Sequence, residues 1–156
     1  MPDNTITPIP GVANLTYEDV AILMNFEQLW IENVFWLRNF FRSSLANRPD
    51  LTTVTNRMFQ TIPLDFYNEF SKYFGPEDSQ KFLNIFSRLT ITNWQLINAY
   101  KSNDQTAIDA NTVQWYQISE ELSEFLASVN KFWDADQLKS MFREYIQFKI
   151  QEIIAF

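Results

Sequence analysis

Asn33, Asn93, Asn111 and Tyr145 are the residues of this chain whose types and positions could do chemistry together. Each interrupts a run of bulky apolar side chains spaced three and four apart. Asn33 falls between Trp30 and Leu37, Asn93 between Leu89 and Leu96, Asn111 between Ile108 and Trp115, and Tyr145 after Phe142. On helices, that spacing sets each polar group on or beside an inward face. Facing amides and a phenol can donate and accept hydrogen bonds to a small polar group, but near neutral pH they supply neither a base nor a strong nucleophile. Glu32 and Glu144 are the chain neighbours of Asn33 and Tyr145, and Arg38 and Arg88 lie beside the same stretches. The candidate pocket set is therefore Asn33, Glu32, Arg38, Asn93, Glu144 and Tyr145. Against it stands the ordinary use of a buried amide, which is to satisfy its hydrogen bonds and fix how helices pack. An Arg on a helix, likewise, commonly runs its stem along the surface.

What the chain lacks excludes most catalytic classes. It has no His and no Cys, which removes Ser-His-Asp triads, imidazole bases, thiolates, disulfides, His-ligated zinc and haem-binding His. A metal would have to be held by carboxylates and carbonyls. No Glu-x-x-His pair exists, so the di-iron carboxylate arrangement is absent, and neither a metal nor a cofactor is expected. Asp19 with Glu27 and Asp65 with Glu69 have helical spacing and read as solvated pairs. Only two Gly are present, too few for phosphate-cradling loops or a sheet built on hairpin turns. The net charge of −7 and the pI near 4.5 come with no cluster of Lys and Arg. Neither nucleic acid nor an anionic membrane surface is an expected partner. The start has no basic, apolar leader pattern and no apolar run is long enough to span a bilayer, so the expectation is a soluble cytoplasmic protein.

The elements that must position these residues follow from periodicity. Aromatics make up 17% of 156 residues, enough apolar surface to build a core. The fold expected is all-α: an antiparallel bundle of four main helices with two short additional ones over residues 16–156, after an irregular arm at 1–15. Thr16 to Asp19 reads as a capping box opening the first helix, which Pro49 stops. Its buried face is Trp30, Val34, Leu37, Phe41 and Leu45. Phe26, Ile31, Phe35, Trp36 and Phe40 extend it around most of the cylinder, which suits a central helix or a dimer interface. Asp50 is the expected cap of a short helix to about Gln60, and Pro63 opens another that carries Phe66 and Phe70. Gly75-Pro76 reads as a helix end followed at once by a helix start. The last two helices begin near Asp104 and Asp134, the final one on Leu138, Phe142, Ile146 and Ile153.

The segment Leu29-Trp-Ile-Glu-Asn-Val-Phe-Trp-Leu-Arg38 resembles a family of small helical bacterial proteins of unknown function, whose pattern there is L-W-E-x-H-V-x-W-T-R. Trp30, Val34, Trp36 and Arg38 match it. The resemblance continues through Leu45–Asp50, Gln95–Ala99, Trp115-Tyr116, Glu124–Asn130 and the last helix. It implies the helical fold. It also implies a His at position 33 and others near 89 and 145; this chain has Asn33, Leu89 and Tyr145 instead, so a His-based site of that kind is lost.

Two classes of function remain. The first is a non-catalytic helical protein that binds itself, a protein partner or a small apolar ligand, suggested by the aromatic content and the apolar end Ile153-Ile-Ala-Phe156. The second is a small-molecule or metal-dependent enzyme with a polar site in the bundle core. The acidic charge alone suggests a third, a regulatory or immunity-type partner of a basic protein.

Overall fold

The computed structural model describes residues 16–156; the expected arm at 1–15 lies outside them. Among the described residues there are helices and connections and no strand: α1 (Tyr17–Leu45), α2 (Leu51–Asn56), a π-helical turn (Arg57–Thr61), α3 (Ile62–Ser102), α4 (Gln105–Val129) and α5 (Ala135–Ala155). None of these helices is long and apolar enough to cross a membrane.

The helix starts are capped by the side chains that the chain places there. At α1 the Thr16 hydroxyl accepts from the Asp19 N–H at 3.1 Å while the Asp19 carboxylate accepts from the Thr16 N–H at 2.8 Å. This closes a reciprocal capping box. The Thr16 N–H, and after it the Thr16 hydroxyl donating at 2.7 Å, hold the Asp19 carboxyl below its ordinary range. Asp104 and Asp134 cap α4 and α5, accepting from Ala107 at 3.0 Å and Gln137 at 2.8 Å. Asp50 is a correction. Its backbone is already helical (φ −82°, ψ −2°), which turns the side chain away from the first amides of α2. It accepts instead from the Ser43 hydroxyl at 2.9 Å.

The short helix after Asp50 does not end before Pro63. The backbone widens to a π turn over Arg57–Thr61 and runs straight into α3. Pro63 lacks the N–H that would continue the ladder, and the turn sits just ahead of it. At Gly75 (φ +75°, ψ 172°) α3 folds back on itself. Phe70 stacks on Phe82 at 4.8 Å and 13°, and Phe66 meets Phe86 at 4.8 Å. Residues 62–74 and 76–102 therefore form an antiparallel helical hairpin around a ladder of phenyl rings.

Ring and ion pairs give the remaining directions. Phe26–Phe70 and Trp30–Phe66 set α1 against the first arm of α3 in opposite senses. Glu124–Lys139 and Glu120–Arg143 do the same for α4 and α5. Chain neighbours are antiparallel, as short connections demand. Trp30–Phe142 and Arg38–Glu152, by contrast, put α1 and α5 parallel. These two helices have little backbone contact, whereas α3–α4 and α4–α5 pack closely.

That separation corrects one expectation about α1. Leu37 and Phe41 are only 2% and 0% exposed, but Val34 is 38% exposed and Ile31 and Phe35 more so. The helix lies at the flank of the bundle, with one side covered and part of its apolar surface open. The core beneath is a continuous cluster running from Leu37 and Phe40 through Phe66, Phe82 and Leu96 to Leu122 and Ile146.

Candidate functional site

Where α1 and α5 stand apart, a groove opens with about 590 Å³ of free volume. Ile22, Leu23, Phe26, Trp30 and Val34 of α1 form one wall, and Leu138, Met141, Phe142 and Tyr145 of α5 the other. Phe66, Phe70, Tyr73, Phe74 and Phe82 of α3 form the base. Leu126, Asn130 and Trp133 close the end. The groove is shut off further along by the Arg38–Glu152 pair at 3.0 Å, which ties α1 to α5 one turn beyond Val34. Among the described residues its lining contains no Asp, Glu, Lys or Arg.

Beneath the groove lies a second, much smaller cavity of about 30 Å³. Trp30, Phe142 and Tyr145 line both spaces. The small cavity adds Asn33 and Leu37 from α1, Phe86, Leu89, Thr90 and Asn93 from α3, and Trp115 and Ser119 from α4. Two of its polar groups are spent on their own helices: the Ser119 hydroxyl donates to the Trp115 carbonyl and Thr90 to the Ser87 carbonyl, each at 2.8 Å. The Asn93 Oδ1 and the Tyr145 hydroxyl are fully buried and have no protein partner. A group left so costs about 1–3 kcal/mol of desolvation. Burial, with the charge of Glu152 as a lesser cause, pushes the Tyr145 phenol well above the usual tyrosine range. The phenol is neutral at any physiological pH and stands as a donor.

The structure thus brings Asn33, Asn93 and Tyr145 together around one cavity, with Leu89 beside them. The charged candidates go elsewhere. Glu32 accepts from Gln28 at 2.9 Å and pairs with Arg57 of the π turn, and those bonds hold its carboxyl below the ordinary range. Glu144 is exposed, Arg38 is engaged with Glu152, and Arg88 pairs with Glu121 on the surface. Asn111 is half-buried and donates to the Ala107 carbonyl at 2.7 Å. A helical residue adjacent to an inward one points about 100° away, which is why neither Glu32 nor Glu144 turns in.

One buried acid was read as solvated and is not. Glu69 accepts from Asn25 at 3.0 Å and from the Tyr73 hydroxyl at 3.2 Å, and pairs with Lys72. Burial works to raise its carboxyl, but the bonds from Lys72, Asn25 and Tyr73 outweigh it and the net shift is downward. This knot links α1 to α3 and fixes Tyr73 in the groove wall. Asp65, its supposed companion, faces Arg57 at 3.3 Å. Among the described residues no cluster of three or more acidic side chains is placed to hold a metal ion.

Set against protein-family models, curated proteins and solved structures, the chain matches none. Function is accordingly read from the geometry of the groove and the cavity, since a helical bundle by itself implies no activity. The groove went unseen in the sequence because periodicity tells which face of a helix is apolar and not how far its neighbour stands off. The one available signal was surplus: α1 and α5 carry more apolar side chains than two helices need to cover each other.

Proposed function

We propose that this protein binds an apolar small molecule in the groove between α1 and α5 and does not transform it. The supporting observation is the groove itself: about 590 Å³ of space walled by aliphatic and aromatic side chains, within the range of small-molecule sites. Each CH₂ that leaves water there gains roughly 0.8 kcal/mol, so a ligand of about ten carbons gains about 8 kcal/mol before the cost of association. The wall offers no carboxylate, ammonium or guanidinium, and so no group for proton transfer near neutral pH.

Leu23 of α1 and Met141 of α5 line the two walls of the groove and are both exposed, so they can be changed without touching the core. Titration with the neutral dye Nile red is expected to give one saturable site with a blue-shifted emission. A Leu23→Lys/Met141→Lys variant, its helical circular dichroism unchanged, is expected to bind at least tenfold more weakly. Equal binding by the two proteins would refute the reading.

A second reading, self-association, is favoured by Ile31 and Phe35 of α1 and Phe148 and Ile154 of α5, which are exposed and lie outside the groove. Apolar residues clustered on a surface mark contact sites. Light scattering across a concentration series is expected to show a dimer that Phe35→Lys and Phe148→Lys dissociate; a monomer at every concentration would remove this reading and leave the first intact.

A further inference from the structure

We infer that the ligand of the groove is a neutral alcohol, whose single hydroxyl enters the cavity beneath the groove and bonds to both Tyr145 and Asn93. This rests on the groove being a ligand site and adds to it the chemistry of the head group.

Size comes first. The cavity offers about 30 Å³ of free space, above the roughly 10–15 Å³ that a single water needs, so a hydroxyl fits. Access comes next. Trp30, Phe142 and Tyr145 border both the groove and the cavity. The Trp30 and Phe142 rings, in tilted contact at 56° with centroids 6.0 Å apart, stand between the two spaces and must shift for a head group to pass.

Hydrogen-bond bookkeeping then selects among small groups. Among the cavity's fully buried groups, one donor, the Tyr145 hydroxyl, and one acceptor, the Asn93 Oδ1, have no partner. A hydroxyl accepts from the first and donates to the second. A ketone, aldehyde or ether only accepts and would leave Asn93 Oδ1 unsatisfied. An ammonium could donate to both oxygens, but it would bring a charge into a lining that offers no carboxylate. An anion meets no free cation here: the nearest, Lys149, lies 5.8 Å from the Tyr145 ring centroid and is bound to Glu152 at 2.7 Å.

Sites built around a substrate hydroxyl reject analogues lacking it, because the site's own polar groups are then left bare. The test is displacement of Nile red by three molecules with one ten-carbon chain: 1-decanol, 1-chlorodecane and decanoate. The full chain is expected to bind decanol about tenfold more tightly than chlorodecane or decanoate. In Tyr145→Phe and in Asn93→Leu that preference is expected to fall to within about twofold. Should Asn93→Leu fail to fold, carbon-13 labelling of tyrosine gives the same answer, since the Tyr145 ring carbon bearing the hydroxyl is expected to shift with decanol and not with chlorodecane. If decanol and chlorodecane compete equally in the wild type, the cavity holds a resident water only and the inference falls, while the groove reading stands. If none of the three displaces a bound dye, the groove reading itself falls.

Discussion

The Tyr145 hydroxyl is the clearest case of a residue whose identity was legible and whose situation was not. A phenol after Phe142 on an apolar stripe stands out in the sequence, as do Asn33 and Asn93, because each breaks a pattern that otherwise holds. Nothing in the sequence reveals that Tyr145 and Asn93 end up buried without partners, since that depends on the packing of three other helices. The consequence is measurable. Burial raises the folded pKa of Tyr145 above the value of about 10 it has in the unfolded chain. Its neutral form therefore favours the fold fully below about pH 10, and that contribution is lost as pH rises further, by about 1.4 kcal/mol per pH unit. Urea unfolding at pH 7 and above about pH 10 should show a steep alkaline decline in the wild type that Tyr145→Phe makes shallower by one proton's worth. At pH 7 the same change is expected to raise stability by about 1–3 kcal/mol, because it removes a buried hydroxyl that has no partner. Glu69 carries the opposite sign. Its carboxyl is lowered on balance, so it stabilises the fold above about pH 4 and ceases to as pH falls through its folded value. Glu69→Gln should be less stable than wild type at neutral pH and converge with it in acid; a gap that persists unchanged at low pH would show that the carboxylate's charge is not what matters.

At the scale of elements, the punctuation of the sequence was its most readable part. Thr16 with Asp19, Asp104, Asp134 and Gly75-Pro76 each signal a helix end by chemistry that acts within a few residues, and the structure uses all of them. The π turn at Arg57–Thr61 is marked only by Pro63 just beyond it, and a proline there reads equally well as a plain helix start. The Gly75 hinge permits a sharp prediction because the two causes of a glycine requirement separate there. A Cβ at position 75 would meet nothing within 4 Å, so there is no clash; the backbone, at φ +75°, is the only obstacle. Gly75→Ala should therefore cost about 1 kcal/mol or somewhat more, from backbone strain alone. A loss of several kcal/mol in chemical denaturation would mean that the hairpin cannot relax and that Phe70 and Phe82 part with it. Thr16→Ala, which opens the capping box, should lower stability by about 0.5–2 kcal/mol.

For the whole molecule, helix number and order were legible because heptad-like spacing is a local property repeated along the chain, whereas the groove belongs to two helices that never meet in sequence. The result is a bundle with unequal ends. Toward its C-terminus α1 is sealed by Leu37, Phe40 and Phe41, each nearly inaccessible, while Val20, Leu23 and Met24 at its other end are exposed beside the groove. Apolar burial is the main term holding a helix to its bundle, so the two halves of one continuous helix should open independently. Amide hydrogen exchange is expected to be fast over residues 17–29 and slow over 36–45, the slow half exchanging only with global unfolding. An apolar ligand that spans α1 and α5 binds the closed form alone, and at a hundred times its dissociation constant it should slow exchange in the first half about a hundredfold. The second half should respond only as far as overall stability rises. Uniform protection along α1 without ligand would mean that the groove walls are as firmly held as the core, and a ligand that protected both halves equally from local opening would place its site somewhere other than between α1 and α5.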